Sequence, residues 1–446
     1  MVNKEIKCDL NINNQMEEYV PYEELYKAYI DCRKNKRNTC NAIIFEMDEA
    51  LNLIKLYEDL NKKKYEIGRS IAFLVYKPVP REVFAADFRD RIVHHLLMNR
   101  TIELFENNFI QDAYSCRDGK GTEYGVLRCR KFIEECSDYY HKPTYILKCD
   151  LKSFFMTISK SKLYSKAERF LTDSGKFNAK DLEFNLWLCR QIIFNDPTQN
   201  CIRKQPESDW KILPKEKSLF CQDKDCGLPI GNLTSQIFAN FYLSEFDHWV
   251  TEELGFKYYG RYVDDFFILD NDKEKLKSIV NVIREKLKTY GVTLHPNKLY
   301  IQEVRKGVQF IGTIIKPNRM YIINRTLGNL YDRLNELERE YKKFPDDKDL
   351  MHKISCVINS YLGFMKHRKT FNLRCKIFKK WKNIRFIFNF MYVSDNLDKV
   401  TVFKEYCTLG DNKEKHMSKD EYRNYLFKKF LDRCEKIEIE DIYNIE

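Results

Sequence analysis

Two short apolar-aromatic runs, Phe256 to Tyr262 and Phe266 to Leu269, flank Val263-Asp264-Asp265. Runs of this length and aromatic content, broken by turn-favouring acids, predict a β-hairpin with carboxylates at its bend. Few environments tolerate that arrangement. Burying a strand pair beside adjacent negative charges is costly unless something positive neutralises them. A hard divalent cation such as Mg²⁺ does so through carboxylate oxygens. A solvated turn accounts for the same residues, because aspartate favours turns.

Asp150 sharpens the choice. Tyr145 to Asp150 (YILKCD) reads as a buried strand ending on a carboxylate, with Phe154 and Phe155 following. Placed in one sheet with the hairpin, that strand brings Asp150 beside Asp264. Two-metal phosphoryl transfer requires such a cluster, one ion activating the attacking hydroxyl and the other stabilising the leaving oxygens. The competing reading is an aspartate that only starts a turn.

The remainder of the 446-residue chain suits a large basic enzyme. Hydrophobic residues make up 43% and aromatics 14%, enough for an extensive core, which excludes global disorder. The net charge of +11 and a pI near 8.8 favour polyanionic partners. No apolar run approaches the roughly 18 residues that span a bilayer. The first residues lack the apolar core of a signal peptide. The fifteen scattered cysteines fit reduced thiols. A cytoplasmic protein with no membrane partner is expected.

Tyr22 to Lys64 reads as helices carrying a basic loop, Arg33 to Arg37, and Ala72 to Tyr76 as a strand ended by Pro78 and Pro80. Phe88 to Leu97 sets Phe88, Ile92, Val93 and Leu96 on one helical face. Pro229 to Val250 starts at a glycine turn and continues as an apolar helix, with Asn232 or Thr234 as cap. Leu327, Leu330, Leu334, Leu337 and Tyr341 recur at helical spacing before a second helix, Leu350 to Lys366. The expected fold class is α+β with an all-helical C-terminal part.

These segments form an ordered set. Lys148-Cys149-Asp150-Leu151-Lys152-Ser153-Phe154-Phe155 is followed by Gly227-Leu228-Pro229-Ile230-Gly231-Asn232-Leu233-Thr234-Ser235-Gln236, then Tyr262-Val263-Asp264-Asp265. Leu294-His295-Pro296-Asn297-Lys298 and Phe310-Ile311-Gly312 come after; Pro80-Arg81-Glu82-Val83-Phe84 and Ser115-Cys116-Arg117-Asp118-Gly119-Lys120-Gly121-Thr122 come before. The set resembles reverse transcriptases, over about residues 20 to 380.

The resemblance implies a right-hand polymerase fold, with fingers and palm around a small antiparallel sheet and an α-helical thumb. It implies an RNA-directed DNA polymerase using two Mg²⁺ ions, with Mn²⁺ as substitute, dNTPs, an RNA template and a DNA or RNA primer. Asp150, Asp264 and Asp265 would be catalytic metal ligands, helped by the Leu151 carbonyl, and Lys298 would protonate departing pyrophosphate. Arg81 would bind the triphosphate, where a guanidinium fork suits phosphate oxygens. Phe155 would exclude a ribose 2′-hydroxyl, and Ile230, Gly231 and Gln236 would line the nucleotide site. The implied divisions are an N-terminal helical segment (1–66), fingers and palm (67–315), thumb (316–385) and a C-terminal helical extension (386–446).

Ile230-Gly231 with Ser235-Gln236 departs from the widespread Gln-Gly-x-x-x-Ser-Pro form. In this it is similar to bacterial diversity-generating retroelement enzymes, as is Asn359-Ser360-Tyr361-Leu362-Gly363 with Lys366-His367. Isoleucine cannot make the amide hydrogen bond of glutamine, so low-fidelity synthesis is expected. Defence-associated bacterial reverse transcriptases are also similar, which sets beside this a noncoding RNA, an accessory protein, and protein-primed or untemplated synthesis. A non-catalytic RNA-binding scaffold is the reading from another class.

Weaker signals complete the picture. Lys366, Arg368 and Lys369, near Phe371, Phe378 and Trp381, suit a sugar-phosphate track. Cys201, Cys221 and Cys226 lack a fourth ligand at zinc spacing. His94 and His95 read as structural, and Glu82, Asp87 and Asp90 as helix caps and surface partners of arginines.

Overall fold

A computed structural model describes residues 18–34, 39–76, 79–380 and 382–406. Loop residues 35–37, Pro78, Trp381 and the segment from 407 onward lie outside the described residues.

Along the chain, α1 (Tyr22–Arg33), α2 (Cys40–Met47) and α3 (Glu49–Asn61) precede β1 (Ser70–Val75) and β2 (Arg81–Ala85). The long α4 (Phe88–Asn108) and α5 (Thr122–Cys136) lead into β3 (Tyr145–Asp150). The short α6 (Phe154–Thr157), then α7 (Lys160–Asp173), α8 (Ala179–Phe194) and β4 (Cys201–Arg203) follow. Next come α9 (Leu233–Tyr242), α10 (Ser244–His248), β5 (Tyr259–Tyr262), β6 (Asp265–Asp270), α11 (Lys273–Thr289) and β7 (Tyr300–Glu303). A meander of β8 (Val308–Phe310), β9 (Thr313–Lys316) and β10 (Arg319–Ile322) runs into α12 (Asn324–Lys343), α13 (Lys348–Lys366) and α14 (Phe371–Cys375). The described chain closes on β11 (Met391–Val393) and β12 (Val400–Val402).

The central sheet has the order β5-β6-β3-β7, antiparallel throughout. Side chains alternate across it. Leu147 and Cys149 of β3, with Phe266 and Ile268 of β6, join the main core that also holds residues of α4, α7, α8, α9 and α11. Ile146, Phe267 and Leu269 point the other way, into a second core with α5 and the meander. Covering on both faces is why these strands read as near-continuous apolar runs. A smaller sheet has the order β2-β1-β4.

The α12–α13 pair has a core of its own. Leu330, Leu334 and Leu337 face Ile354, Ile358 and Leu362, the i, i+3/i+4 stripe that the leucine spacing predicts. Asp347 caps α13 through the Leu350 amide (3.0 Å). The C-terminal part departs from the all-helical expectation, because β11 and β12 pair antiparallel. Asn359 of α13 explains the docking: its side-chain amide donates to the Val400 carbonyl (2.9 Å) and accepts from the Val400 amide (2.8 Å), as a neighbouring strand would. Among the described residues, no helix is long and apolar enough to cross a membrane.

Candidate active site

The hairpin forms as its pattern predicts, with Asp264 in the bend and Asp265 already the first residue of β6. Val263 turns the chain at φ +58°, a conformation disfavoured for a β-branched residue. Asp150, closing β3, lies directly opposite Asp265, and the Leu151 amide donates to the Asp264 carbonyl (3.0 Å). The adjacent Asp264 and Asp265 and the distant Asp150 therefore gather at one end of the sheet.

Two lysines answer them. Lys148 stands two residues before Asp150 on β3, hence on the same face, and its Nζ donates to Asp265 Oδ2 at 2.7 Å. Lys298 arrives from the loop after α11. There the His295 amide donates to the Asp150 carbonyl (2.7 Å), and Lys298 Nζ reaches Asp150 Oδ1 and Oδ2 at 2.9 and 3.0 Å. Their settings differ: the Lys148 side chain is 14% exposed and that of Lys298 56%, so Lys298 is the one able to swing into solvent.

The lysines leave the acids under-neutralised. Burial, then the charge of Asp150, pushes Asp264 up to about 6. Burial also raises Asp265 against the pull of Lys148, and its Oδ1 is buried without a hydrogen-bond partner. Excess negative charge on hard oxygen donors suits a divalent cation. Among the described residues, no three His, Cys, Asp or Glu side chains are grouped to hold a metal by themselves. Mg²⁺ does not require that, since it keeps waters and takes one or two carboxylates together with substrate phosphates. Asp150 and Asp264 fit this role. Asp265 lies beside them, with Lys148 on its Oδ2 and its Oδ1 without a hydrogen-bond partner.

Phe155 is half-buried on α6, and with Ile230 it packs against a cluster of Ala72, Phe84, Met156 and Leu219. These two expected residues are therefore brought together. The Ile230 carbonyl accepts from the Phe84 amide (2.8 Å), tying β2 to the segment before α9. Gly231 follows at φ +123°, where a Cβ would stand 2.7 Å from Val83 Cγ1 and 3.1 Å from the Phe84 carbonyl oxygen. Only glycine fits. Asn232 occupies the N-cap position of α9, but its Oδ1 accepts from the Ala86 amide (3.1 Å) instead of capping the helix. Arg81 is exposed at the start of β2. Gln236, exposed on α9, meets the Cys116 thiol, which donates to its Oε1 (2.9 Å).

The basic cluster divides. Lys366 and Lys369 are exposed, whereas the Arg368 side chain is fully buried. Arg368 Nε donates to Thr313 Oγ1 (2.9 Å), Nη1 donates to Glu123 Oε2 (2.7 Å), and the guanidinium lies 4.0 Å from the centre of the Phe364 ring. The expected contact of Arg368 with nucleic acid is thereby corrected: it rivets α13 to α5 and β9. Glu82 and Asp90 are likewise buried rather than on the surface. Glu82 accepts from Trp210 Nε1 (3.0 Å), Ser218 Oγ (2.9 Å) and the Leu219 amide. Asp90 accepts from the Tyr65 hydroxyl (2.8 Å) and the Gly68 amide (3.0 Å). Asp87 caps α4 through the Arg89 amide, as expected. His94 is buried beside Thr234, and burial pulls its pKa down to about 3, so it stays neutral.

Sequence reading missed Lys148 and Arg261. The first carried a signal, a lysine two places before a strand-ending acid and therefore on its face. The second stood as a lone charge inside an aromatic strand, Tyr258-Tyr259-Gly260-Arg261-Tyr262.

Residues 81–315, more than half of the chain, match the family model described as reverse transcriptase (RNA-dependent DNA polymerase). The chain belongs to that family, and its α+β fold is of the right-hand polymerase type. No curated protein matches it. Among solved structures, it is similar to apo telomerase from Candida tropicalis truncated from the C-terminal domain, at 13% identity and TM-score 0.43, over 58% of this chain and 55% of that one. It is also similar to telomerase from Candida albicans in complex with the TWJ fragment of telomeric RNA, at 13% identity and TM-score 0.41, over 85% and 63%. In both cases it spans less than two thirds of the matched protein's length.

Proposed function

We propose that this member of the reverse transcriptase family is an RNA-directed DNA polymerase, extending a primer on an RNA template by two-metal nucleotidyl transfer from dNTPs. The observation that carries the reading is the gathering of Asp150, Asp264 and Asp265 at the sheet's end, three carboxylates against the two lysines Lys148 and Lys298. Bound there, Mg²⁺ or Mn²⁺ would lower the pKa of the attacking 3′-hydroxyl and stabilise the leaving oxygens.

The chain's own groups supply the rest. Asp150 and Asp264 would hold the ions, with Asp265 beside them on Lys148. Lys298, the more exposed lysine, can leave Asp150 and offer its proton to departing pyrophosphate. Phe155 and Ile230 form an apolar surface on which a ribose 2′-hydroxyl would lie without a partner, favouring deoxynucleotides. Arg81 presents its guanidinium to the triphosphate, and the exposed Lys366 and Lys369 face the duplex. In this reading, residues 67–315 are fingers and palm and 316–385 are thumb. Ile230, which lacks a hydrogen-bonding amide, supports low-fidelity synthesis in a retroelement. A role in antiphage defence with a noncoding RNA is the alternative; a paired template repeat and variable repeat beside the coding sequence would favour the first.

The test is incorporation of labelled dNTPs on an RNA template with an annealed DNA primer. Expected is a Mg²⁺-dependent product that Asp264→Ala lowers by about 10³-fold or more without loss of folding. A folded wild type that extends no primer on RNA overturns the proposal.

A further inference from the structure

We infer that Arg261, together with Asp247, Asn240 and Ser115, is a positioning residue that sets the bend carrying Asp264; the inference rests on the polymerase reading above. Arg261 lies on β5, three residues before Asp264, and is 1% exposed. Asp247, Asn240, Ser115 and Tyr259 are all buried with it.

The bonds converge on one residue. Arg261 Nε and Nη2 grip Asp247 Oδ1 and Oδ2 at 2.7 and 2.5 Å, and the Tyr259 hydroxyl donates to the same Oδ1 at 2.5 Å. The fork leaves Nη1 to donate to the Val263 carbonyl (2.9 Å) and to Asn240 Oδ1 (3.3 Å). Ser115 Oγ donates to Asn240 Oδ1 (2.9 Å) and accepts from the Val263 amide (3.2 Å). The Asn240 amide in turn donates to the Ser115 carbonyl (2.7 Å). One network therefore holds both backbone polar groups of Val263.

Val263 is also the strained position, at φ +58°. A disfavoured backbone conformation persists only where its surroundings over-determine it. A buried ion pair is weak evidence for stability, since apolar residues of equal volume often replace one without loss. Its use here is to impose one conformation. The planar guanidinium binds a carboxylate in two places and still reaches a carbonyl; a lysine ammonium, as a point donor, cannot. Backbone pairing adds the frame: the Arg261 amide donates to the Asp112 carbonyl and the Tyr114 amide to the Arg261 carbonyl, both at 2.9 Å. The direction in which Asp264 points is thus decided by α9, α10 and the segment 112–115 as much as by the hairpin.

Ser115→Ala is the gentlest probe, because it removes the acceptor for the Val263 amide and leaves the ion pair in place. Expected is an approximately tenfold fall in kcat, with dNTP KM and template-primer affinity changed by less than about twofold. Ser115→Thr, which keeps the hydroxyl, restores wild-type kcat. Arg261→Lys lowers kcat further, by about 10²-fold. A readout independent of activity is hydrogen exchange: the Val263 amide in Ser115→Ala should exchange about tenfold faster than in the wild type. A Ser115→Ala protein with wild-type kcat and wild-type exchange overturns the inference. If the wild type extends no primer, the polymerase reading fails, and the exchange rate alone decides whether the network holds the bend.

Discussion

The sheet that carries the acids and the helical pair that follows it are built on opposite terms. Around Asp264 the chain buries charged groups in bonded sets, Lys148 with Asp265 and Arg261 with Asp247. In α12 and α13 the core is a seam of leucine, isoleucine and methionine. Polar networks fix one arrangement while adding little net stability, because desolvation offsets the attraction. Apolar seams supply stability and tolerate repacking. The acids must be aimed; the helices need only stay together.

Leu334→Ala should draw that line most clearly. Its side chain is fully buried, and the cavity should lower stability by about 2–5 kcal/mol in denaturant unfolding. Turnover on saturating template-primer should stay near wild type; a collapse of kcat with intact stability would erase the contrast.

Gly231→Ala tests the nucleotide side. Its φ of +123° and the crowding against Val83 and Phe84 should cost about 1–3 kcal/mol, with dNTP KM rising as β2 is displaced. Unchanged melting and unchanged KM would show that the close approach has no role.

Asp90 probes a buried polar set by pH. Burial raises its carboxyl from the ordinary 3.8 to about 6, against the opposing hydrogen bond from Tyr65. The folded state therefore binds the proton more tightly than the unfolded one. That contribution is fully present below about pH 4 and is lost as pH rises through about 6. Between pH 4 and 7, the wild type should lose about 2 kcal/mol relative to Asp90→Asn in paired unfolding curves. Parallel curves would contradict the assignment.

The smallest effect is expected at the surface. Lys366→Gln combined with Lys369→Gln should reduce the salt slope of duplex binding by about 1.5 to 2, and stability should hardly move. Arg368→Gln should do the reverse, lowering stability and leaving the slope alone, because its guanidinium faces Thr313 and Glu123.

Much of this is legible in the sequence. Alternation placed Asp150 at a strand end and Asp264 in a bend, and leucine spacing marked α12, because these are local periodicities. Asn232 and the C-terminal hairpin were not legible: the cap is diverted to Ala86, and β12 docks on a side-chain amide of α13. Glu82, Asp90 and Arg368 read as surface groups from sequence because charge usually means exposure.

The amino-acid order alone determined that a strand-ending acid and a hairpin bend with two more would be there, and that a leucine-striped helix pair would follow. The tertiary structure decided which charges are buried and whom they meet. Lys148 finds Asp265 across 117 residues and Arg368 finds Glu123 across 245. Local pattern cannot encode such pairs, since each exists only once separate elements have packed and water has been excluded between them.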